Sequence, residues 1–244
     1  MSTSSIEWTD KTWNPVTGCT KISAGCEHCY AAVLTKRLHG MRKPKYANGF
    51  NVTIHPNALN EPLTWKNPSM IFVCSMSDLF HKNVPFEFID QVLNVIKNTP
   101  QHNYQILTKR ADRMAEYFSS RNIPPNAWLG VTVEIARTKS RIDFIRNLHA
   151  PIRFISCEPL LEDLGELDLI GINWVIVGGE SGVQARPMKE EWVLNIKKQA
   201  DTLHIPFFFK QWGTWSVDGI KGNKKTNGKL LQGVVVQNMP TIKK

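Results

Sequence analysis

From residue 70 onward the chain alternates short, almost wholly apolar runs with stretches of helical period, and few folds accept that pattern. The runs at 70–74, 104–107, 127–133, 152–156, 174–177 and 206–209 are rich in Val, Ile, Phe and Trp and read as strands covered on both faces. The segments 86–98, 111–119, 135–148 and 189–203 between them are amphipathic and read as helices. Strand and helix in regular succession build a parallel sheet. The expected fold class is therefore α/β, with βα units around a parallel sheet of about six strands, in a barrel or an open sheet. Before residue 70 the pattern thins. Segment 7–14 is the only strand candidate there, 31–38 reads as a helix, and 44–65 is an irregular excursion with a small strand at 50–54. Neither a repeat nor a low-complexity linker divides the 244 residues, so one domain over 1–244 is expected, with a basic tail from about 216 to 244.

Each strand runs out into polar residues. The six runs lead into Ser75-Met-Ser-Asp78, Thr108-Lys-Arg110, Glu134, Cys157-Glu-Pro159, Gly178-Gly-Glu-Ser181 and Lys210-Gln-Trp-Gly213. In parallel barrels and open α/β sheets, sites are built at that carboxyl edge. Any one such cluster is ordinary loop polarity; six in succession predict a functional rim.

The loop ahead of the sheet carries Cys19, Cys26 and Cys29 in the spacing C-x6-C-x2-C. A closed structural zinc site takes four protein ligands, and iron–sulfur clusters are also usually held by four cysteines. Three thiolates leave a [4Fe–4S] cluster with one iron open to a small molecule. Gly18 and Gly25 flank the loop and allow backbone amides to approach the sulfides. Tyr30 either packs over that group or begins the apolar face of the following helix. Of the remaining cysteines, Cys74 reads as a small buried hydrophobe, whereas Cys157 is either that or a reactive group on the rim. His28, His39 or His81 would be the fourth ligand if the loop held zinc instead.

Composition narrows the partners and the compartment. Thirty Lys and Arg against 21 Asp and Glu leave a net charge of +9, which suits an anionic partner such as nucleic acid or a nucleotide. Part of this charge (Lys221, Lys224, Lys225, Lys229, Lys243 and Lys244) lies in the tail and is equally a solvated surface. No apolar run is long enough to span a bilayer and the polar start is no signal peptide, so a cytoplasmic protein with reduced thiols is expected. Trp212 and Trp215 stand beside Lys210, where they would stack a base; Trp174 and Trp192 read as core.

A three-cysteine loop near the N-terminus followed by βα units resembles the radical S-adenosylmethionine superfamily. That superfamily usually shows C-x3-C-x2-C; here the first gap is six residues, and His28 replaces the usual aromatic before the last cysteine. Over nearly its full length the chain also resembles an uncharacterised three-cysteine-motif family common in bacteriophages and bacteria. The shared phrases are Thr12-Trp-Asn-Pro-Val-Thr-Gly-Cys19, Ser75-Met-Ser-Asp-Leu-Phe-His81, Leu107-Thr-Lys-Arg110, Ser156-Cys-Glu-Pro-Leu-Leu161, Trp174-Val-Ile-Val-Gly-Gly-Glu-Ser-Gly182 and Phe207-Phe-Phe-Lys-Gln-Trp-Gly213.

The resemblance implies a partial (β/α) barrel of about six parallel strands with an N-terminal cluster-binding loop, a [4Fe–4S] cluster on Cys19, Cys26 and Cys29, S-adenosylmethionine as the second cofactor, and an electron donor such as a flavodoxin or ferredoxin. It implies that the loop after the second strand, Ser75, Ser77 and Asp78, meets the methionine amino group. Glu134, Glu158 and Glu180 are the candidates for ribose, and Lys109, Arg110 and Lys210 for a cofactor carboxylate or substrate phosphate. Cys157, Glu158 and Lys210 are the catalytic candidates. Two other functions fit the same residues. One is a metal-dependent phosphodiesterase or nuclease with Asp78, Glu134, Glu158 and Glu180 around Mg²⁺ or Mn²⁺ and a structural zinc knuckle. The other is a non-catalytic nucleic-acid-binding protein.

Overall fold

A computed structural model of the protein describes residues 6–241. Seven parallel strands in sequence order form one sheet: β1 (Lys11–Trp13), β2 (Met70–Val73), β3 (Asn103–Thr108), β4 (Ala127–Thr132), β5 (Arg153–Cys157), β6 (Trp174–Gly178) and β7 (Phe207–Gln211). The sheet curls into a half-barrel, as expected of a partial (β/α) barrel, with one strand more than the six apolar runs. The extra strand is β1, which falls within the candidate segment 7–14. It is only three residues long and pairs with β2 in the register Lys11–Ile71 to Trp13–Val73, too short to show a pattern of its own.

After the cysteine loop comes α1 (Tyr30–Gly40), and four helices, α2 (Phe86–Lys97), α3 (Ala111–Phe118), α4 (Arg141–Arg146) and α5 (Glu190–Thr202), cross back over one face. Strand side chains alternate between the two faces. Ile71, Val73, Tyr104, Ile106, Leu129, Val131, Ile155, Val175, Val177 and Phe209 face the helices in the larger core. Phe72, Trp128, Phe154, Trp174, Ile176 and Phe208 face inward, where Trp8 joins them in a second, helix-free aromatic core. Gln105 is also fully buried and donates to the Trp8 carbonyl, tying the N-terminal segment into the barrel.

Three local expectations change. Segment 135–148 is not one helix but a 3₁₀ turn, Ala136–Thr138, followed by α4. The Thr138 hydroxyl donates to the Ile135 carbonyl, the local competition that disfavours Thr inside helices. The strand expected at 50–54 shrinks to Thr53–Ile54, paired with Val16–Thr17. The segment after residue 216 is folded onto the barrel. Leu230–Leu231 and Val234–Val235 form a hairpin, and the indole N–H groups of Trp212 and Trp174 donate to the carbonyls of Leu230 (2.9 Å) and Asn238 (2.9 Å). Lys243 and Lys244 lie outside the described residues. Among those residues, no helix is long and apolar enough to cross a membrane.

Candidate active site at the carboxyl edge

A cavity of about 390 Å³ opens at the carboxyl ends of β2 to β7, with the cysteine loop as its other wall. Cys19, Cys26 and Cys29 all line it; they are free thiols and partly exposed. His28, Ser75, Ser77, Asp78, Lys109, Glu158, Glu180 and Lys210 share the lining. Strand parity explains much of this. Ser156 points inward from β5, so Glu158 does as well, and Glu158 reaches over the bare Cα of Gly178. The geometry thus brings most of the sequence-predicted rim to one place.

Three carboxylates of the rim are occupied by arginines, and each pair grips the cysteine loop. Asp78 accepts from Thr108 Oγ1 (2.7 Å), the Phe80 and Lys109 amides and Arg110 Nη1 (2.9 Å). Arg110 in turn donates to the Thr20 carbonyl (3.1 Å) and lies 3.5 Å from the Cys19 sulfur. Glu134 is fully buried, accepts from Arg141 Nη1 (2.7 Å) and from the Ser23 hydroxyl, and packs beneath Gly25. Glu180 takes three hydrogen bonds from Arg186, whose guanidinium also reaches Glu27 (3.1 Å) and the Ala24 carbonyl (3.0 Å). Charge-assisted bonds of this kind are the strong ones and orient both partners. The loop is therefore held at its start, middle and end by pairs from three strand ends.

The acid–base balance reflects these pairs. Burial pushes the Glu134 carboxyl up, but the Lys109 charge, the Ser23 hydroxyl and the Arg141 charge together outweigh it and leave it below the usual carboxylate range. Glu180 is likewise lowered, burial opposing and the Arg186 hydrogen bonds prevailing. Burial raises the Cys19 thiol, with Arg110 pulling the other way. His81 is fully buried and joins the same scaffold. Its Nδ1 accepts from the Asn83 amide (3.1 Å), so Nε2–H is left to donate to Thr20 Oγ1 (2.8 Å).

These pairings correct several expectations. Asp78, Glu134 and Glu180 serve the loop rather than standing free for an ammonium, a ribose or a divalent cation, since an arginine beside each repels a metal ion. Ser75 and Ser77 line the cavity, but their hydroxyls donate to Asn14 Oδ1 (3.2 Å) and the Val16 carbonyl (2.8 Å). Cys157 has the opposite parity to Ser156 and Glu158. It is fully buried in the helix-side core, where burial raises its thiol far above the ordinary value, so it is not on the rim. Cys74 is buried as expected, yet lines the cavity with a left-handed φ of 62° that turns the chain from β2 into the Ser75 loop. Trp212 and Trp215 spend their indole N–H groups on the Leu230 and Ala185 carbonyls and offer no platform to the cavity. His39 turns to the Tyr46 carbonyl.

Sequence reasoning missed Arg141 and Arg186, the partners that give the rim carboxylates their role, and Trp8 and Lys224, which line the cavity. Arg186 follows Glu180 by six residues in an irregular loop, a spacing that carries no periodic signal. Trp8 is brought in from the far end of the chain.

The donor set fits a cluster. Three free thiols border one cavity, and Arg110 lies beside the sulfur of Cys19. Among the described residues, no three Cys, His, Asp or Glu side chains gather tightly enough to hold one ion. A cubane asks for a different arrangement, each thiolate on its own iron.

The curated proteins hold no match to this chain. Among solved structures it is similar to one described as "Spore photoproduct lyase complexed with dinucleoside spore photoproduct", at 9% identity and a TM-score of 0.44. That likeness covers 76% of this chain and 59% of the other, and it is too loose to bear on activity. The model of the family described as "Protein of unknown function (DUF5131)" matches residues 3–240, and the chain belongs to that family.

Proposed function

We propose that the protein is a radical S-adenosylmethionine enzyme acting on an anionic substrate, with Cys19, Cys26 and Cys29 holding a [4Fe–4S] cluster. The observation that carries this reading is the position of the three free thiols. They stand on one clamped loop at the carboxyl edge of a partial barrel and face a cavity built from the strand ends. When bound, the cluster and S-adenosylmethionine supply hydrogen-atom abstraction from an unreactive position.

The chain's own residues do the remaining work. Arg110, Arg141 and Arg186 fix the loop through Asp78, Glu134 and Glu180. Lys109 lines the cavity, and its ammonium makes no ion pair among the described residues, leaving it to receive a cofactor carboxylate. Glu158 and Lys210, paired at 2.8 Å, orient polar groups of the cofactor or substrate. The reading includes a one-electron donor of the flavodoxin or ferredoxin class and a cytoplasmic setting where thiols stay reduced.

The test is iron, acid-labile sulfide and zinc content of protein purified without oxygen, with electron paramagnetic resonance before and after S-adenosylmethionine is added. A reduced cubane signal that changes with the cofactor is expected. Stoichiometric zinc without sulfide, or iron that never supports cleavage of the cofactor, overturns the reading. Cys19→Ala, Cys26→Ala and Cys29→Ala should each abolish the cluster, whereas Cys74→Ala should retain it.

A further inference from the structure

Away from the thiols, the cavity changes character. Trp8 and Phe72 line it with aromatic surface, their rings in edge contact at 4.7 Å. Beside them, Ser181 and Gln211 present a polar edge: Gln211 Nε2 donates to Ser181 Oγ (3.1 Å), and Gln211 Oε1 is buried without a partner. Buried acceptors are nearly always satisfied, so an orphan on a cavity-lining side chain points to a missing donor. Lys210 and Lys224 complete this end. Lys210 is paired with Glu158, whereas the Lys224 ammonium makes no ion pair among the described residues. Burial and the nearby Lys210 charge lower the Lys224 pKa, with Glu7 and Glu158 opposing; Glu158 is bonded to Lys210 and Glu7 to Lys229, so three ammonium groups meet two carboxylates.

S-adenosylmethionine does not answer this surplus. It brings one carboxylate against a sulfonium and an ammonium, and Lys109 already stands on the loop side, where its charge acts on Glu134. A second anion is required at the β7 end, together with a flat ring able to hydrogen-bond at its edge. We propose that Lys210 and Lys224 form a phosphate subsite and that the substrate is a nucleotide whose base lies over Trp8 and Phe72, edge towards Ser181 and Gln211. This rests on the radical reading for the chemistry done there, but binding is measurable without it. Aromatic faces suit any base, charged donors suit phosphate, and the polar edge selects among bases.

The experiment is titration of AMP, GMP, CMP and UMP, ribose 5-phosphate, inorganic phosphate and a short single-stranded oligonucleotide into the full-length protein, iron-loaded and iron-free, by calorimetry. At least one mononucleotide or the oligonucleotide should bind about tenfold or more tightly than ribose 5-phosphate. Lys224→Ala should weaken that binding about tenfold while Lys224→Arg largely restores it. Lys224 is half-exposed on a short surface helix, so neither variant threatens the core. Trp8→Phe, which keeps a ring, should weaken base-bearing ligands and leave ribose 5-phosphate unchanged.

A mononucleotide that outcompetes the oligonucleotide makes the substrate a free nucleotide; the reverse order makes it a nucleotide within a strand. Both support the proposal. Ribose 5-phosphate or phosphate binding as tightly as every nucleotide, no nucleotide binding at all, or indifference to Lys224→Ala overturns it. Iron and sulfide are assayed on the same samples. Nucleotide binding by a protein that never assembles a cluster overturns the radical reading alone. A working cluster with no nucleotide binding overturns this inference alone.

Discussion

Parity along a strand settles what a single residue does at this edge. In the run Ser156-Cys157-Glu158, the outer two face the cavity side and the middle one enters the helix-side core, because successive side chains point to opposite faces. Cys157→Ser should therefore leave iron content unchanged and destabilise the protein by about 1–3 kcal/mol, the cost of burying an unsatisfied hydroxyl. Chemical denaturation beside an iron assay reads both; loss of iron in that variant would return Cys157 to the site.

The loop carboxylates make a second residue-scale prediction. Glu134 and Glu180 titrate lower in the folded protein than their ordinary value. Their contribution is complete above the ordinary carboxylate range and is lost as pH falls through the folded value. Unfolding temperature followed downward from about pH 7 to about pH 3 should fall steeply, and Glu180→Gln should flatten that acid limb. An acid limb identical in the two proteins would mean that the Glu180–Arg186 pair adds nothing. The Ser-Cys-Glu run was legible in the sequence as part of the rim, but which of its residues faces the cavity was not, because Cys157 read equally as core or rim. The arginine partners were not, since Arg186 and Glu180 meet through a loop of no fixed period.

At the scale of elements, two glycines let the strands and their connections approach closely. A Cβ on Gly130, in β4, would strike the Phe154 ring inside the barrel. A Cβ on Gly179, just past β6, would overlap the backbone carbonyl of Trp212. A ring can shift, whereas a backbone carbonyl fixed by neighbouring strands cannot. Gly130→Ala should cost about 1–3 kcal/mol through overpacking. Gly179→Ala should cost more, and melting of the two variants side by side checks the order. The Gly178-Gly-Glu run stands in the sequence as one cluster of the polar rim. In the fold its first glycine makes room for Glu158, its second for Trp212, and its glutamate holds Arg186.

Across the whole molecule, segments near the two ends of the described residues meet. Lys229 and Gln237 both bond Glu7 (3.3 and 2.6 Å), and backbone bonds from Phe209 and Asn238 join β7 to the C-terminal segment. Deleting the chain after Trp215 would strip the Trp174, Trp212, Phe209 and Asn238 hydrogen bonds and uncover aromatic core. Four such bonds at about 1 kcal/mol each correspond to a fall of roughly 10 °C in Tm for a chain of this size. Calorimetry of the truncated protein measures it; an unchanged Tm would make the segment a decoration after all.

Periodicity and spacing alone determined the parallel α/β sheet, where its strands fall, the polar residues at their carboxyl ends and the three cysteines of one loop. Those features come from local rules: apolar runs of strand length, helical spacing between them, and thiols close together in one loop. Only the tertiary structure decided which rim groups are free and which are spent. That depends on partners met through irregular loops, such as Arg141 for Glu134 and Arg186 for Glu180, or across the fold, such as Arg110 for Asp78, and hydrogen-bond partners chosen through space leave no period in the chain.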